Sequence, residues 1–205
     1  MRKLFLSSSF AEVADRFVAF MGGACEGKTV TFIPTASLPE KVTFYVAAGK
    51  KALLKRGMIV DELELSTATP EEISSKLTGN DYIYLTGGNT FFLLQELRRT
   101  GADQLISAQI ATGKPYIGES AGSMILARDL DYVTAMDDVA AAPELTSLKA
   151  LGVVDFYPLP HHTNFPFKKV VEKIIGNYAD KIPLHPISNS QAIQVDGDQV
   201  VVIDK

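Results

Sequence analysis

The stretch Pro115-Tyr116-Ile117-Gly118-Glu119-Ser120-Ala121-Gly122-Ser123-Met124 contains the end of a strand, a sharp turn and the start of a helix. Tyr116 and Ile117 suit a buried strand. Gly118 to Gly122 lets the chain fold back without clashes, and helix formers follow from Met124 to Arg128. Gly-x-Ser-x-Gly between a strand and a helix reads as a nucleophile elbow. A serine hydroxyl is a weak nucleophile, so it must be held exposed and within reach of a base. The turn also puts Ser120 at a helix N-terminus, where unpaired N–H groups favour negative charge and the N–H of Ala121 can face an oxyanion. The same spacing also fits a plain βα turn with a capping serine, so the rest of the chain has to decide.

Outward from the elbow, short apolar runs alternate with helical patterns. Lys3 to Ser7 reads as a first strand and Ala11 to Met21 as a helix with apolar residues at Val13, Phe17, Val18 and Met21. Thr29 to Ile33 is continuous and β-branched, as in a strand buried on both faces. Val42 to Leu54 follows as a helix stopped by Gly57, and Met58 to Leu65 as a strand. Thr69-Pro70-Glu71-Glu72 opens a helix with a cap, an N1 proline and first-turn acids. Asp81 to Thr86 is a strand; Thr90–Arg99 and Ala102–Thr112 are helices. After the elbow, Leu151 to Leu159 reads as a strand, Phe167 to Tyr178 as a helix and Ile182 to Ile187 as a short apolar run. Gln191–Val195 and Gln199–Ile203 flank Asp196-Gly197-Asp198, a hairpin signal. This alternation predicts one α/β domain over 1–205, with a mostly parallel sheet and helices on both faces.

Composition narrows the function classes. The 205 residues are 46% hydrophobic and 21% charged, with a net charge of −4 and no basic stripe, which argues against a nucleic-acid partner. The single cysteine, Cys25, rules out an internal disulfide and fits a reducing compartment. No apolar run reaches the ~18 residues of a membrane span. Met1 to Ser7 turns polar too soon for a signal peptide, so the expected location is cytoplasmic. Three histidines without metal-ligand spacing imply no metal, and no motif implies an organic cofactor.

Two further segments bear on the elbow. Leu85-Thr86-Gly87-Gly88-Asn89-Thr90 ends a strand and opens a helix, at the carboxyl edge where open α/β sheets bind ligands. If that strand neighbours the elbow strand, the N–H of Gly88 can serve as a second oxyanion donor. His161 and His162 follow the 151–159 strand, and an extended chain would turn only one of them toward the site. His185, between Leu184 and Pro186, suits a structural role. Asp129, Asp131, Asp137, Asp138 and Glu144 lie between Ser120 and His161, and spacing does not choose an orienting acid among them. Glu119 could reach solvent or substrate.

Thr86-Gly-Gly-Asn-Thr90, Gly118-Glu-Ser-Ala-Gly-Ser123 and Pro160-His-His-Thr-Asn164, in this order, resemble peptidase E. This is the α-aspartyl dipeptidase family of serine peptidases, related to cyanophycinases, with a class I glutamine-amidotransferase-like (flavodoxin-like) fold. The resemblance covers essentially the whole chain. It implies Ser120 as nucleophile, His161 as base and Asp137, in Thr134-Ala-Met-Asp137, as the triad acid. It also implies Gly88 and Ala121 as oxyanion donors and a small peptide as partner. Asn89, Glu119, Asn164 and Lys168 are the candidate substrate contacts, and a monomer or homodimer is expected. Two positions depart from the family. Where members often carry an acid, near Ile187 to Ile193, this chain has Asn189, an alternative partner for His161 but a weaker one for an imidazolium. Members that favour an N-terminal aspartyl residue use an arginine after the histidine motif. This chain has none after Arg128, only Lys168 and Lys169.

Three other readings compete. An α/β-hydrolase esterase shares Gly-x-Ser-x-Gly, but here His161 follows Ser120 by only 41 residues. A catalytically impaired binding or regulatory member would have Asp137 turned away from His161 with no other acid behind it. A glutamine amidotransferase would need a cysteine nucleophile, and Cys25 is far from the elbow. If Asp137 orients the base, Asp137→Asn lowers the rate steeply and Asn189→Ala does little.

Overall fold

Lys3–Ser7 (β1), Thr29–Ile33 (β2), Ile59–Glu62 (β3), Tyr82–Leu85 (β4) and Tyr116–Glu119 (β5) are the parallel strands of one sheet in the computed structural model, which describes residues 1–205. Tyr157–Leu159 (β6) and Leu184–Pro186 (β7) pair parallel in a separate two-stranded sheet. Gln191–Asp196 (β8) and Gln199–Asp204 (β9) form an antiparallel hairpin added beside β1. The seven-stranded order is β3-β2-β4-β5-β1-β8-β9. β4, β5 and β1 are therefore neighbours, and the turns that follow them meet at one end of the sheet.

The strand period of two distributes side chains to two cores. Phe5, Phe32, Tyr84 and Ile117 face one side and pack on Phe10–Phe20 (α1) and Phe44–Leu54 (α2). Phe5, Phe10, Phe17 and Tyr84 meet edge-on there at 5.1–6.3 Å between rings, and Tyr84 stacks on Phe32 at 4.9 Å. Leu4, Leu6, Ile83, Leu85 and Tyr116 face the other side. That core is covered by Pro70–Gly79 (α3), Thr90–Thr100 (α4), Ala102–Ala111 (α5), Ala121–Met124 (α6) and Lys168–Tyr178 (α7). The fold is thus a mostly parallel sheet with helices on both faces, of the α/β flavodoxin-like kind. Thr69 caps α3 as its sequence predicts, accepting the Glu72 N–H at 3.2 Å.

Three predicted elements come out much shorter. β3 ends at Glu62 rather than Leu65, and the 151–159 strand reduces to β6. The helix after the elbow stops at Met124. The incoming segment takes its next carbonyls: Leu151, Val153 and Gly152 N–H bind the oxygens of Ile125, Leu126 and Ala127 at 2.8–3.1 Å. Those tertiary bonds replace both the helix continuation and the start of the strand. No helix is long and apolar enough to cross a membrane.

Candidate active site

Ser120 follows β5 and stands at the N-cap position of α6 with φ 48 and ψ −106. A non-glycine residue rarely adopts such a conformation, at a cost of order 1–3 kcal/mol, so the surroundings must enforce it. The two elbow glycines allow the enforcement. A Cβ on Gly118 would lie 2.6 Å from Gly122 O, and one on Gly122 would lie 2.2 Å from Leu85 O. The crossing of β5, α6 and β4 is therefore closer than any side chain permits. Ser120 N–H donates to Ser7 O at 2.9 Å, and Ser7 Oγ donates to Gly118 O at 3.1 Å. Ser123 Oγ adds a bond to Ser7 O at 2.9 Å. The end of β1 thus fixes both sides of the turn.

His161 leaves β6 with φ 65, and its ring reaches the elbow. Nε2 lies 2.9 Å from Ser120 Oγ, and Nδ1 lies 2.8 Å from Asn189 Oδ1. An amide oxygen accepts from Nδ1–H, so Nε2 carries the lone pair that faces the serine hydroxyl. Burial lowers the pKa of His161 below its usual 6.5, against a smaller raising effect from Asn189, and keeps the imidazole neutral near pH 7. Its ring also stacks on Phe167 at 4.6 Å. Ser8 Oγ holds the backbone, accepting His161 N–H at 2.9 Å and donating to Ile187 O at 3.0 Å. His162 is anchored by its N–H to Ile187 O, and its ring makes no hydrogen bond. His185 lies apart, stacked on Phe156 at 4.4 Å.

The expectation for Asp137 is corrected. Its carboxylate accepts the Thr90 N–H at 2.9 Å and the Thr90 hydroxyl, at the start of α4. The Nδ1 of His161 is taken by Asn189, and no carboxylate hydrogen-bonds the ring. Desolvation, only partly offset by the Thr90 bonds, pushes Asp137 up to about 6. An acid so placed shapes the Gly88–Thr90 turn rather than the base. Asp137 is singled out only by the resemblance, through its place in Thr134-Ala-Met-Asp137. What decides it is which side chain the 187–190 turn carries past the histidine.

Three of the four proposed substrate contacts are also engaged elsewhere. Asn89 is buried and caps α4: Oδ1 accepts the Phe92 N–H at 2.9 Å and Nδ2 donates to Asp138 O at 3.0 Å. Asn164 Oδ1 accepts the Asn189 N–H at 2.8 Å, so it positions the partner of the base. Glu119 is 2% exposed and turns inward, accepting from Phe10 N–H and Tyr84 OH, so it reaches neither solvent nor substrate. Lys168 is exposed at the start of α7.

Gly88 sits where only glycine fits. Its φ is 136, and a Cβ would lie 2.1 Å from Ala36 O. The next N–H, that of Asn89, donates to Ala36 O at 2.8 Å. The Gly88 N–H itself makes no hydrogen bond within the chain. Ala121, first residue of α6, has an N–H with no intrahelical partner. Gly87 presses on the elbow: a Cβ there would meet Ser120 Cβ at 3.3 Å. No cluster of three or more His, Cys, Asp or Glu side chains is arranged to hold a metal ion.

The sequence assigns no role to Ser7, Ser8, Tyr84 or Thr90. The run Ser7-Ser8-Ser9 at the end of a buried strand is a usable signal. Hydroxyls at the carboxyl edge of a central strand can reach the turns of its neighbours.

Known proteins show the same arrangement of chain. The model of peptidase family S51 matches residues 4–203. An uncharacterized peptidase of Listeria monocytogenes is 54% identical over 201 residues, covering 98% of each chain. An uncharacterized peptidase of Pasteurella multocida is 54% identical over 202 residues, covering 98% of this chain and 97% of its own. A peptidase E of Shewanella baltica is 33% identical over 135 residues, 65% of this chain and 53% of its own. Among solved structures, one described as a candidate peptidase E from Listeria monocytogenes EGD-e superposes with a TM-score of 0.96 at 52% identity, covering 100% of this chain and 99% of that one. With a family model spanning almost its whole length and relatives matched end to end, the chain belongs to peptidase family S51 and is a peptidase.

Proposed function

We propose that the chain is a serine peptidase working through Ser120, His161 and Asn189. Ser120 Oγ attacks the scissile carbonyl carbon as its proton passes to His161 Nε2. Gly88 and Ala121 N–H groups face the oxyanion that develops. The tetrahedral species collapses, the C–N bond breaks, and the leaving amine takes the proton back from Nε2. Water then repeats the sequence on the ester and frees Ser120. Asn189 holds the ring in the tautomer that leaves Nε2 unprotonated, the part an asparagine plays in cysteine peptidases of the Cys-His-Asn type. The observation that carries this reading is the relay of 2.9 and 2.8 Å through His161, anchored on a strained elbow.

Small unblocked peptides are the proposed substrates, in a cytoplasmic setting. An N-terminal aspartyl residue would have to be met by Lys168 or another donor, since no arginine follows Arg128. One observation favours a second reading, a slow or regulatory member. Asp137 is turned away, and the group behind His161 is an amide, which stabilises an imidazolium less than a carboxylate does. Hydrolysis of Asp-Leu, Glu-Leu, Ala-Leu and Lys-Leu by wild type and Ser120→Ala tests both. Serine-dependent cleavage of any of these supports the peptidase mechanism, and the dipeptide cleaved names the preference. Cleavage that survives in Ser120→Ala would defeat the serine mechanism. Acyl esters cleaved in preference to every dipeptide would favour an esterase.

A further inference from the structure

Glu119 immediately precedes Ser120 and is the one carboxylate sealed beneath the elbow, 2% exposed. Oε1 accepts the Phe10 N–H at 2.9 Å, at the start of α1. Oε2 accepts the Tyr84 hydroxyl at 2.7 Å, from the neighbouring strand β4. The Gly87 N–H has no other partner in the chain, and its proximity to the same carboxylate favours the ionised form. Helix α2 closes over the pair only because residue 49 is glycine. A Cβ there would lie 2.5 Å from Tyr84 Oη and 3.5 Å from Glu119 Oε2. A glycine inside a helix costs about 1 kcal/mol relative to alanine, and a buried acid without a cation costs more. No lysine, arginine or histidine hydrogen-bonds to Glu119, and the titratable groups about it are Tyr84 on β4 and Tyr45 on α2.

These contacts converge on the machinery. The Gly87 carbonyl accepts the Thr86 hydroxyl at 3.0 Å. With its carbonyl held by Thr86 and its N–H turned to Glu119, Gly87 leaves the following peptide little freedom. That peptide carries the Gly88 N–H. Gly87 in turn abuts Ser120. One carboxylate therefore braces the nucleophile strand, β4, the start of α1 and the donor loop.

We infer that Glu119 is a positioning residue for the reaction, its ionised carboxylate holding the Gly87–Gly88 donor loop in register with Ser120. The inference rests on the serine mechanism proposed above. The chemistry favours the ionised form. Every neighbour is a donor, so protonation turns an acceptor oxygen into a competing donor and frees one contact. Desolvation raises Glu119 to about 7, against the bonds from Tyr84, Phe10 and Gly87 that lower it. The loop therefore tightens across the neutral range, above the point where His161 loses its own proton.

The test is inactivation by a fluorophosphonate, which phosphonylates an activated serine, with loss of fluoride, without needing the natural substrate. Rates are taken from pH 5 to 9 on wild type, Glu119→Gln and Tyr84→Phe, with circular dichroism to confirm folding. Glu119→Gln removes the ionisation, so the acid limb moves down to that of His161. The plateau rate falls about tenfold with the saturation constant unchanged, less than loss of an oxyanion donor costs. Tyr84→Phe removes a bond to the carboxylate and moves the limb up. It also supplies the test alone if Glu119→Gln does not fold. Labelling of Ser120 with superimposable profiles in the folded variants overturns the role of Glu119 and leaves the serine mechanism standing. A wild type that is never labelled at Ser120 overturns both.

Discussion

Ser120 and His161 both stand in left-handed backbone, at φ 48 and 65, yet the two are held by different physics. The elbow is held by sterics. Gly118, Gly122 and Leu85 pass at distances that admit no Cβ, inside a continuous sheet. The histidine turn is held by side-chain hydrogen bonds from Ser8, Asn164 and Asn189, on a segment joined to a two-stranded sheet at the edge. Steric enforcement is stiff and cannot be adjusted in small steps. A few polar bonds, each worth about 1 kcal/mol, can be tuned one at a time. The nucleophile should therefore respond to substitution all-or-none, and the base in degrees.

The largest expected effect tests the stiff half. Ser120→Ala removes Oγ and nothing else, so turnover drops by about 10⁶-fold, as for the nucleophile of another serine protease. Unfolding in urea stays at the wild-type midpoint. Near-wild-type turnover in the variant would remove Ser120 from the chemistry.

The tunable half comes next. Asn189→Ala leaves Nδ1 without its acceptor and the ring free to turn. Turnover falls by about 10³-fold, less than the ~10⁴ lost when another triad's orienter enforces the wrong tautomer. Asn189→Asp supplies a carboxylate to the imidazolium, so turnover rises and the acid limb of the pH profile moves up. Asp137→Asn costs far less than Asn189→Ala, because Asp137 touches Thr90 and not the ring. This ranking reverses the one the sequence suggests. Steady-state rates of the three variants side by side decide between them, and a steeper loss in Asp137→Asn would return the orienting role to the acid.

Gly122→Ala then separates sterics from polar bonds. Its new Cβ would sit 2.2 Å from a strand carbonyl that cannot step aside. A loss of more than about 3 kcal/mol is expected, read from urea unfolding, because overpacking against backbone exceeds the usual penalty. Ser8→Ala in the other half should cost only about 1–2 kcal/mol. Equal losses would mean the two turns are held alike.

The same division explains what the sequence disclosed. Period-two strands, a capped α3 and an elbow of small residues are local patterns, and Lys3–Ser7 and Thr29–Ile33 come out with the predicted limits. The elbow and the Thr86–Thr90 turn could be read because glycine spacing records a steric demand directly. Asn189 could be read only as an alternative. It serves His161 because β7 pairs with β6 and delivers the 187–190 turn beside it, a non-local fact. The inward turn of Glu119 was hidden for a related reason. A glutamate beside a nucleophile reads as a surface or substrate group, and only the Tyr84 hydroxyl and the close approach at Gly49 show where it goes.

That buried acid gives the last prediction, in the pH dependence of stability. Glu119 is raised from 4.5 to about 7 in the folded chain, so between those values the native state binds more protons than the unfolded one. Stability must then fall as pH rises through that window, by about 3 kcal/mol from this group. Asp137, raised from 3.8 to about 6, acts in the same direction. His161 acts oppositely: with its pKa lowered, the unfolded chain binds more protons below about 6.5, and stability falls as pH falls. Urea midpoints of wild type and Glu119→Gln at pH 5 and pH 8 isolate the first contribution, since the other two groups are common to both. The variant should gain on wild type at pH 8 relative to pH 5. A constant difference between them would mean that Glu119 titrates no differently in the folded chain than in the unfolded one, and that the brace beneath Ser120 is ionised throughout that range.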